Sequence, residues 1–439
     1  MFALLLSLAQ SDPVAARVDA EMPALETLYR ELHAAPELSY AEEKTSARMA
    51  KELRDAGFEV TERFGAYDDP ARVCYGVVGV LRNGDGPTIL VRTDMDALPV
   101  EEKTGLPHAS RALGKADDGK EVRVMHACGH DLHMASWVGT ARVLAALRDR
   151  WRGTILMVGQ PSEERAPGGA RAMVRGGLYS KFRKPDFALA LHDNGEVEAG
   201  KVGWTEGYFL ASADSVDITV RGVGGHGAAP HMSKDPVVLA SQIVVALQTI
   251  VSREVPPGKP AVVTVGSIHG GTKRNVIPDE VKLQLTVRTY DKGVRELVLR
   301  AIERIAVETA KAAGVPDDRA PVVEVLQQES LPATWNDPAL VRRATAAMRA
   351  ALGDANVVER EPVMGSEDFG YFALDDRTVP AFMLWLGAVD PARLKASKDG
   401  GPPLPSLHSS VFAPAMPASL RTGVRATVAC VLALATSPR

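Results

Sequence analysis

The sequence predicts an α/β fold whose mostly parallel central sheet is flanked by helices and interrupted by a smaller α+β domain. Residues 88–92, 153–159 and 187–191 are continuous apolar runs rather than alternating ones. Such runs are buried on both faces, as strands of a parallel sheet between helices are. After about residue 210 the texture changes: residues 215–221 alternate, with Val216, Ile218 and Val220 apolar, as in a half-exposed strand. The 439-residue length exceeds one ordinary domain and leaves room for both.

Leu25, Leu28 and Leu32, then Met49 and Leu53, stand at helical spacing and place helix over 21–56. Ala35-Pro36 breaks that run and Gly57 ends it. Strands over 73–81 and 88–92 follow, then a helix at about 131–149 carrying Leu132, Ala135, Val138, Val143 and Leu147, then strands over 153–159 and 187–191. The second texture holds a strand at 215–221, a helix at 236–252, strands at 261–268 and 280–289, a helix at 292–313 and a strand at 322–326. This β-α-β-β-α-β order is that of a split βαβ, ferredoxin-like domain. A helix near 337–352 and a strand at 381–386 return to the first texture, and 399–405 reads as a Gly/Pro-rich loop. The layout is therefore 11–208 and 327–439 as two pieces of one α/β domain, with 209–326 inserted.

Hydrophobic residues at 46% and charged residues at 24% disfavour disorder, collagen and coiled coil. A net charge of -4 gives no basic excess for nucleic acid. Three cysteines cannot build a disulfide framework. Residues 2–9 form a short apolar run, and Ser7 and Ala9 offer the small residues of a signal cleavage site, although no Lys or Arg precedes them. Residues 1–10 are read as a signal-like segment, pointing to a periplasmic or secreted protein with cytoplasmic placement left open. The run is too short for a membrane anchor, and no other run reads as membrane-length.

Acids and imidazoles collect where the buried strands end: Asp94-Met95-Asp96, then Glu163-Glu164, then His192-Asp193. In open parallel sheets, ligands bind beyond the carboxyl ends of the strands. The densest segment is His126-Ala127-Cys128-Gly129-His130-Asp131-Leu132-His133, with three of the chain's ten His and one Cys in eight residues. Thiolate with imidazole suits Zn²⁺ and neighbouring transition metals. Cys128 and His130, two apart, project to one side of an extended loop. Glu163 and Glu164, adjacent, point opposite ways, so one can ligate a metal while the other faces the water that the metal acidifies.

The ordered set Arg92-Thr-Asp94-Met-Asp96-Ala-Leu-Pro99, His126-Ala-Cys128-Gly-His130-Asp131-x-His133, Gln160-Pro-x-Glu163-Glu164, Gly224-Gly-His226, Asn275-Val-Ile-Pro278, Ser366-Glu-Asp368 and Leu407-His408-Ser409 resembles the metal-dependent amidohydrolase/peptidase family. That family includes hippurate hydrolases, indole-acetyl-amino-acid hydrolases and other N-acyl-amino-acid deacylases. The resemblance runs over residues 32–412. It implies that Cys128, His130, Glu164, His192 and His408 ligate two divalent ions per subunit. Zn²⁺ or Mn²⁺ leads, with Co²⁺ and Ni²⁺ behind. It implies Glu163 as general base, and Asp96 as the acid that orients a ligand imidazole. It implies that His226 reaches a neighbouring subunit's site to stabilise the oxyanion, and that Asn275 and Arg288 hold the substrate's carboxylate. The inserted domain becomes a lid that joins a homodimer.

The implied reaction is hydrolysis of an N-acyl amino acid or related small amide. The alternatives are a dipeptidase or exo-carboxypeptidase with the same centre, and a metal-dependent binding protein without turnover. His33 reads as helix packing or a turn, His108 and His269 as loop residues, and His126 and His133 as supports beside the ligands. Cys74 and Cys430 read as small buried hydrophobes. The chain departs from the family at Arg165-Ala166-Pro167, where a Gly-rich run is usual, and at Asp193-Asn194, where apolar residues are.

Overall fold

The computed structural model describes residues 12–435, so the signal-like segment over 1–10 lies outside the described residues. In chain order the first part contains α1 (Pro13–Ala34), α2 (Glu43–Asp55), β1 (Glu59–Thr61), β2 (Val77–Asn83), β3 (Thr88–Asp94), α3 (His130–Ala146), β4 (Gly153–Gln160), β5 (Phe187–Glu198) and β6 (Val202–Trp204). The middle contains β7 (Ser212–Arg221), α4 (Pro236–Thr249), β8 (Ala261–His269), β9 (Glu280–Thr289), α5 (Lys292–Ala312) and β10 (Val322–Val325). The last part contains α6 (Pro338–Leu352), β11 (Val357–Glu359), β12 (Ala381–Val389) and α7 (Ala418–Ala435).

Among the described residues, eight strands form the large sheet, in the order β1-β2-β4-β3-β5-β12-β6-β11. The central β4, β3, β5 and β12 are parallel, while β2 on β4 and β6 on β12 are antiparallel. Every residue of β3 and β12 is buried, the physical meaning of their unbroken apolar runs. Leu25, Leu28, Val138, Val424 and Val431 belong to the core formed by α1, α3 and α7. Gly139 sits where these helices meet: a Cβ there would fall 2.6 Å from Val424 Cγ2 and 2.7 Å from Leu25 Cδ1. α1 begins earlier than its leucine spacing indicates, because Asp12 caps it by accepting from Val14 N at 3.0 Å and Pro13 suits the first turn.

The smaller unit comprises Tyr208–Trp335 with Pro362–Gly370. Its sheet runs β8-β9-β7-β10, with every neighbouring pair antiparallel, the ferredoxin-like order. Val281, Leu283, Leu285 and Val287 alternate inward from β9 onto the core residues of α4 and α5. Residues 327–335 and 362–370, which the sequence layout assigns to the second α/β piece, fall in this unit for local reasons. Leu331 bridges Ala213, Val363 bridges Leu210, and Ala211 N donates to Gly365 O at 2.8 Å. The sequence also indicates no membrane-length run beyond the N-terminus, yet Pro236–Glu254 and Ala418–Ala435 are long and apolar enough by length and composition. In the second of these, 67% is buried, in the core of the larger unit.

His33, read from sequence as helix packing or a turn, is an ion-pair centre at the end of α1. Its Nδ1 lies 2.6 Å from Asp131 Oδ2 and its Nε2 3.0 Å from Glu102 Oε1, all buried. Burial pulls the imidazole down, but Asp131 and Glu102 outweigh it and raise its pKa to about 10. His33→Ala strands two buried carboxylates, so the unfolding free energy falls by about 3–5 kcal/mol. A raised pKa stabilises fully below about 6.5 and loses that contribution as pH climbs toward about 10. Urea unfolding at pH 6 and pH 9 checks this: the gap between wild type and variant narrows at the higher pH.

Candidate metal centre

Because β4, β3 and β5 are adjacent and parallel, their C-terminal ends open on one side of the sheet. β3 ends at Asp94 before Met95-Asp96, β4 ends at Gln160 before Glu163-Glu164, and β5 carries His192 and Asp193. α3 starts at His130, after Gly129 at φ +71. A Cβ on Gly129 would lie 2.3 Å from Asp193 Oδ2, so both its backbone angle and its space call for glycine. His408, at φ +66, is anchored by its own N donating to Ala127 O at 2.8 Å.

These segments bring six predicted residues together. Cys128 Sγ lies 3.5 Å from His192 Nε2 and 3.3 Å from His408 Nε2. His408 Nε2 lies 3.4 Å from Glu164 Oε1. His130 Nε2 lies 3.7 Å from Glu163 Oε2 and 3.8 Å from Glu164 Oε1. Ligand atoms within 4.8 Å of one another form the groups Cys128–His130–His192, Cys128–Glu164–His408 and His130–Glu163–Glu164. Cys128, His130 and Glu164 each belong to two of them, so these residues would hold any metal bound here.

The donor chemistry fits divalent metal. His130 Nδ1 donates to Asp96 O at 2.8 Å, and His192 Nδ1 donates to Asp193 O at 2.8 Å. Both rings thus turn Nε2 toward the cluster as a lone-pair donor, as metal-ligating imidazoles do. His130 Nε2 and Glu164 Oε1 are buried without a hydrogen-bond partner. Burial pulls the His130 pKa down, but Asp94, Asp96 and Glu164 hold it well above the ordinary value. A divalent cation would answer that same excess of negative charge. Burial, then the charges of Glu164 and Glu163, push the Cys128 thiol up; a bound cation reverses that by favouring the thiolate.

Asp96 is wholly buried, and its carboxylate has a task beyond the orienting one. Glu163 N and Glu164 N donate to Asp96 Oδ1 and Oδ2, each at 3.0 Å. The carboxylate therefore sets the backbone of the Glu pair, and the Asp96 carbonyl takes the closer bond from His130. A further network lies behind, in which His133 has the supporting place expected of it, while the sequence assigns no individual role to Arg92, Asp94 and Asp193. Asp94 Oδ1 sits 2.7 Å from His133 Nδ1, Asp193 N donates to His133 Nε2 at 2.8 Å, and Arg92 Nη1 donates to Asp94 Oδ2 at 2.6 Å. Asp193, where the chain departs from the family pattern, finds its partners here.

The other predicted residues lie in the smaller unit. His226 is exposed on a two-residue strand paired with Val276, next to Asn275. Ala228 N donates to His226 Nδ1 at 3.0 Å, which leaves the proton on Nε2. Arg288, on β9, is half-buried and donates from Nη1 to Ser366 Oγ at 2.8 Å.

The pattern of peptidase family M20/M25/M40 matches residues 90–399. Thermostable carboxypeptidase 2 of Saccharolobus solfataricus is 36% identical over 361 residues, 82% of this chain and 84% of that protein. The hippurate hydrolase of Campylobacter jejuni is 36% identical over 360 residues, 82% of this chain and 87% of that protein. Among solved structures, a dinuclear metal-binding peptidase of the M20 family from Bacillus subtilis superposes with a TM-score of 0.75 at 28% identity, covering 95% of this chain and 99% of that one. The chain therefore belongs to peptidase family M20/M25/M40 and is a metal-binding hydrolase of amide or peptide bonds.

Proposed function

We propose that this enzyme hydrolyses the amide bond of N-acyl amino acids or related small amides. Cys128, His130, Glu164, His192 and His408 hold two divalent cations, Zn²⁺ or Mn²⁺ before Co²⁺ or Ni²⁺, and Glu163 is the general base. One observation carries the assignment: both acids stand beside His130, and of the two it is Glu164 that also reaches Cys128 and His408. Glu164 is thus the better-placed ligand, which leaves Glu163 for the proton. Bound cations supply charge that polarises the acyl carbonyl and lowers the pKa of water toward about 7. Glu163 takes the water's proton and passes it to the leaving amine. Asn275 and Arg288 hold the substrate's carboxylate, for which a guanidinium fork is suited. His226 of the partner subunit donates its Nε2 proton to the carbonyl oxygen as charge develops there.

That last assignment needs a homodimer, and the smaller unit offers a surface for it. β8 is an edge strand, and Val238 and Val245 of α4 are 54% and 71% exposed. An edge unpaired among the described residues, beside an apolar helix face, invites a second copy. Val245→Asp should yield monomer in light scattering, with a native far-UV circular dichroism spectrum and about 100–1,000-fold lower turnover, the range set by loss of one oxyanion donor. A wild-type monomer, or a variant that still dimerises, rejects the interface.

The name of the Saccharolobus solfataricus relative favours an exo-carboxypeptidase as the second reading. Enzyme loaded with Zn²⁺ or Mn²⁺ should be assayed on N-acetyl, N-benzoyl and indole-acetyl amino acids beside dipeptides and longer peptides. Faster cleavage of the N-acyl set supports the proposal, faster peptide cleavage the alternative, and no turnover of any amide defeats both.

A further inference from the structure

The loop between α1 and α2 reads from sequence only as a helix break at Ala35-Pro36, yet it grips the segment that presents Glu163. Ser39 Oγ donates to Asp96 Oδ2 at 2.6 Å. Tyr40 N donates to Ser162 Oγ at 2.9 Å, and so does Tyr67 Oη at 2.9 Å. Glu42 stands at the N-cap of α2, where an acid ordinarily accepts from the first turn of its helix, but it makes no such bond. Glu37 Oε2 takes that task, accepting from Thr45 N at 2.7 Å and Thr45 Oγ1 at 2.8 Å. The Glu42 carboxyl is turned instead to the catalytic loop: Oε1 accepts from Ser162 N at 2.7 Å and Ser162 Oγ at 3.0 Å.

Ser162 needs such a hold. Its φ is +52, a left-handed conformation that costs a non-glycine residue about 1–2 kcal/mol and persists only where its surroundings impose it. Both Glu42 and Ser162 are fully buried. Ser162 is fixed from one side by Glu42, while the amides of Glu163 and Glu164 are fixed from the other by Asp96.

We propose that Glu42 is a positioning residue for Glu163: through the amide and hydroxyl of Ser162 it locks the left-handed turn that aims the general base. This rests on the assignment of Glu163 as base. Burial, then the neighbouring Asp96, push the Glu42 carboxyl up to about 8. Gln keeps the oxygen that accepts from Ser162 and is therefore the conservative replacement.

Glu42→Ala should lower kcat by about 10–100-fold, the usual effect of losing a support behind a metal site. KM should stay within about twofold, metal content should match wild type, and hydrogen exchange at the Glu163 and Glu164 amides should quicken. Glu42→Gln should restore both kcat and slow exchange. Wild-type kcat in Glu42→Ala, or metal lost in step with activity, overturns the proposal. If Glu42→Ala does not fold, Ser162→Ala carries the same test by removing the hydroxyl. A wild-type enzyme that cleaves no amide defeats the assignment of Glu163, whereas the exchange rates at Glu163 and Glu164 decide the role of Glu42 independently.

Discussion

Glu163→Gln should lower kcat by about 10²–10⁴-fold, the range a positioned proton acceptor contributes, or about 2.7–5.4 kcal/mol of barrier. The amide keeps the size and hydrogen-bonding shape of the acid but cannot accept the water's proton. Its backbone stays in place, because Asp96 holds the Glu163 amide at 3.0 Å whatever the side chain carries. The cations should remain, since Glu164 is the residue that shares a ligand group with Cys128 and His408. KM should change little, as the lost interaction belongs to the transition state rather than to the bound substrate. Glu164→Gln is the matched control: it should lose metal together with rate. Steady-state amine release and elemental analysis of both variants test the division. A Glu163→Gln rate within about tenfold of wild type, below the least that a positioned base supplies, would show that another group takes the proton.

How much of this was legible in the sequence depends on where each residue finds its partner. β3, β4 and β5 are plain because strands buried on both faces are apolar without interruption. The insertion is plain because β7 and β9 alternate. α7 is not: its apolar residues surround the helix rather than striping one face, so periodicity gives no signal. The Glu163-Glu164 pair and the Cys128–His130 spacing are local in sequence and can be read as chemistry directly. The roles of Ser39 and Glu42 cannot be, because their partners lie 57 and 120 residues away. Asp94 lies inside a recognisable motif, but its role is set by His133 and Arg92 reaching it from α3 and from its own strand. A resemblance names the residues that touch metal more readily than those that hold the ligands still.

Cys128→Ala should reduce metal content, because its sulfur stands in one ligand group with His130 and His192 and in another with Glu164 and His408. The effect should exceed the about 10–100-fold loss of affinity typical of an outer support. Turnover should fall with metal occupancy, in contrast to Glu163→Gln, where the two separate. Serine should not rescue it: the hydroxyl keeps the shape but does not ionise to an anionic ligand, whereas a cation draws the thiol to thiolate. The same loss should appear in stability. A ligand at 100 times its Kd stabilises the folded state by about 2.7 kcal/mol, so added metal should raise the thermal midpoint of wild type and leave that of Cys128→Ala almost unmoved. The side chain is buried among Glu164, His192 and His408, so its removal also opens space between charged groups. Metal-free samples of both proteins separate that packing cost from the metal's contribution. Equal metal content and an equal metal-induced shift in the two proteins would mean that the imidazoles and Glu164 suffice, and Cys128 would have to be abandoned as a ligand.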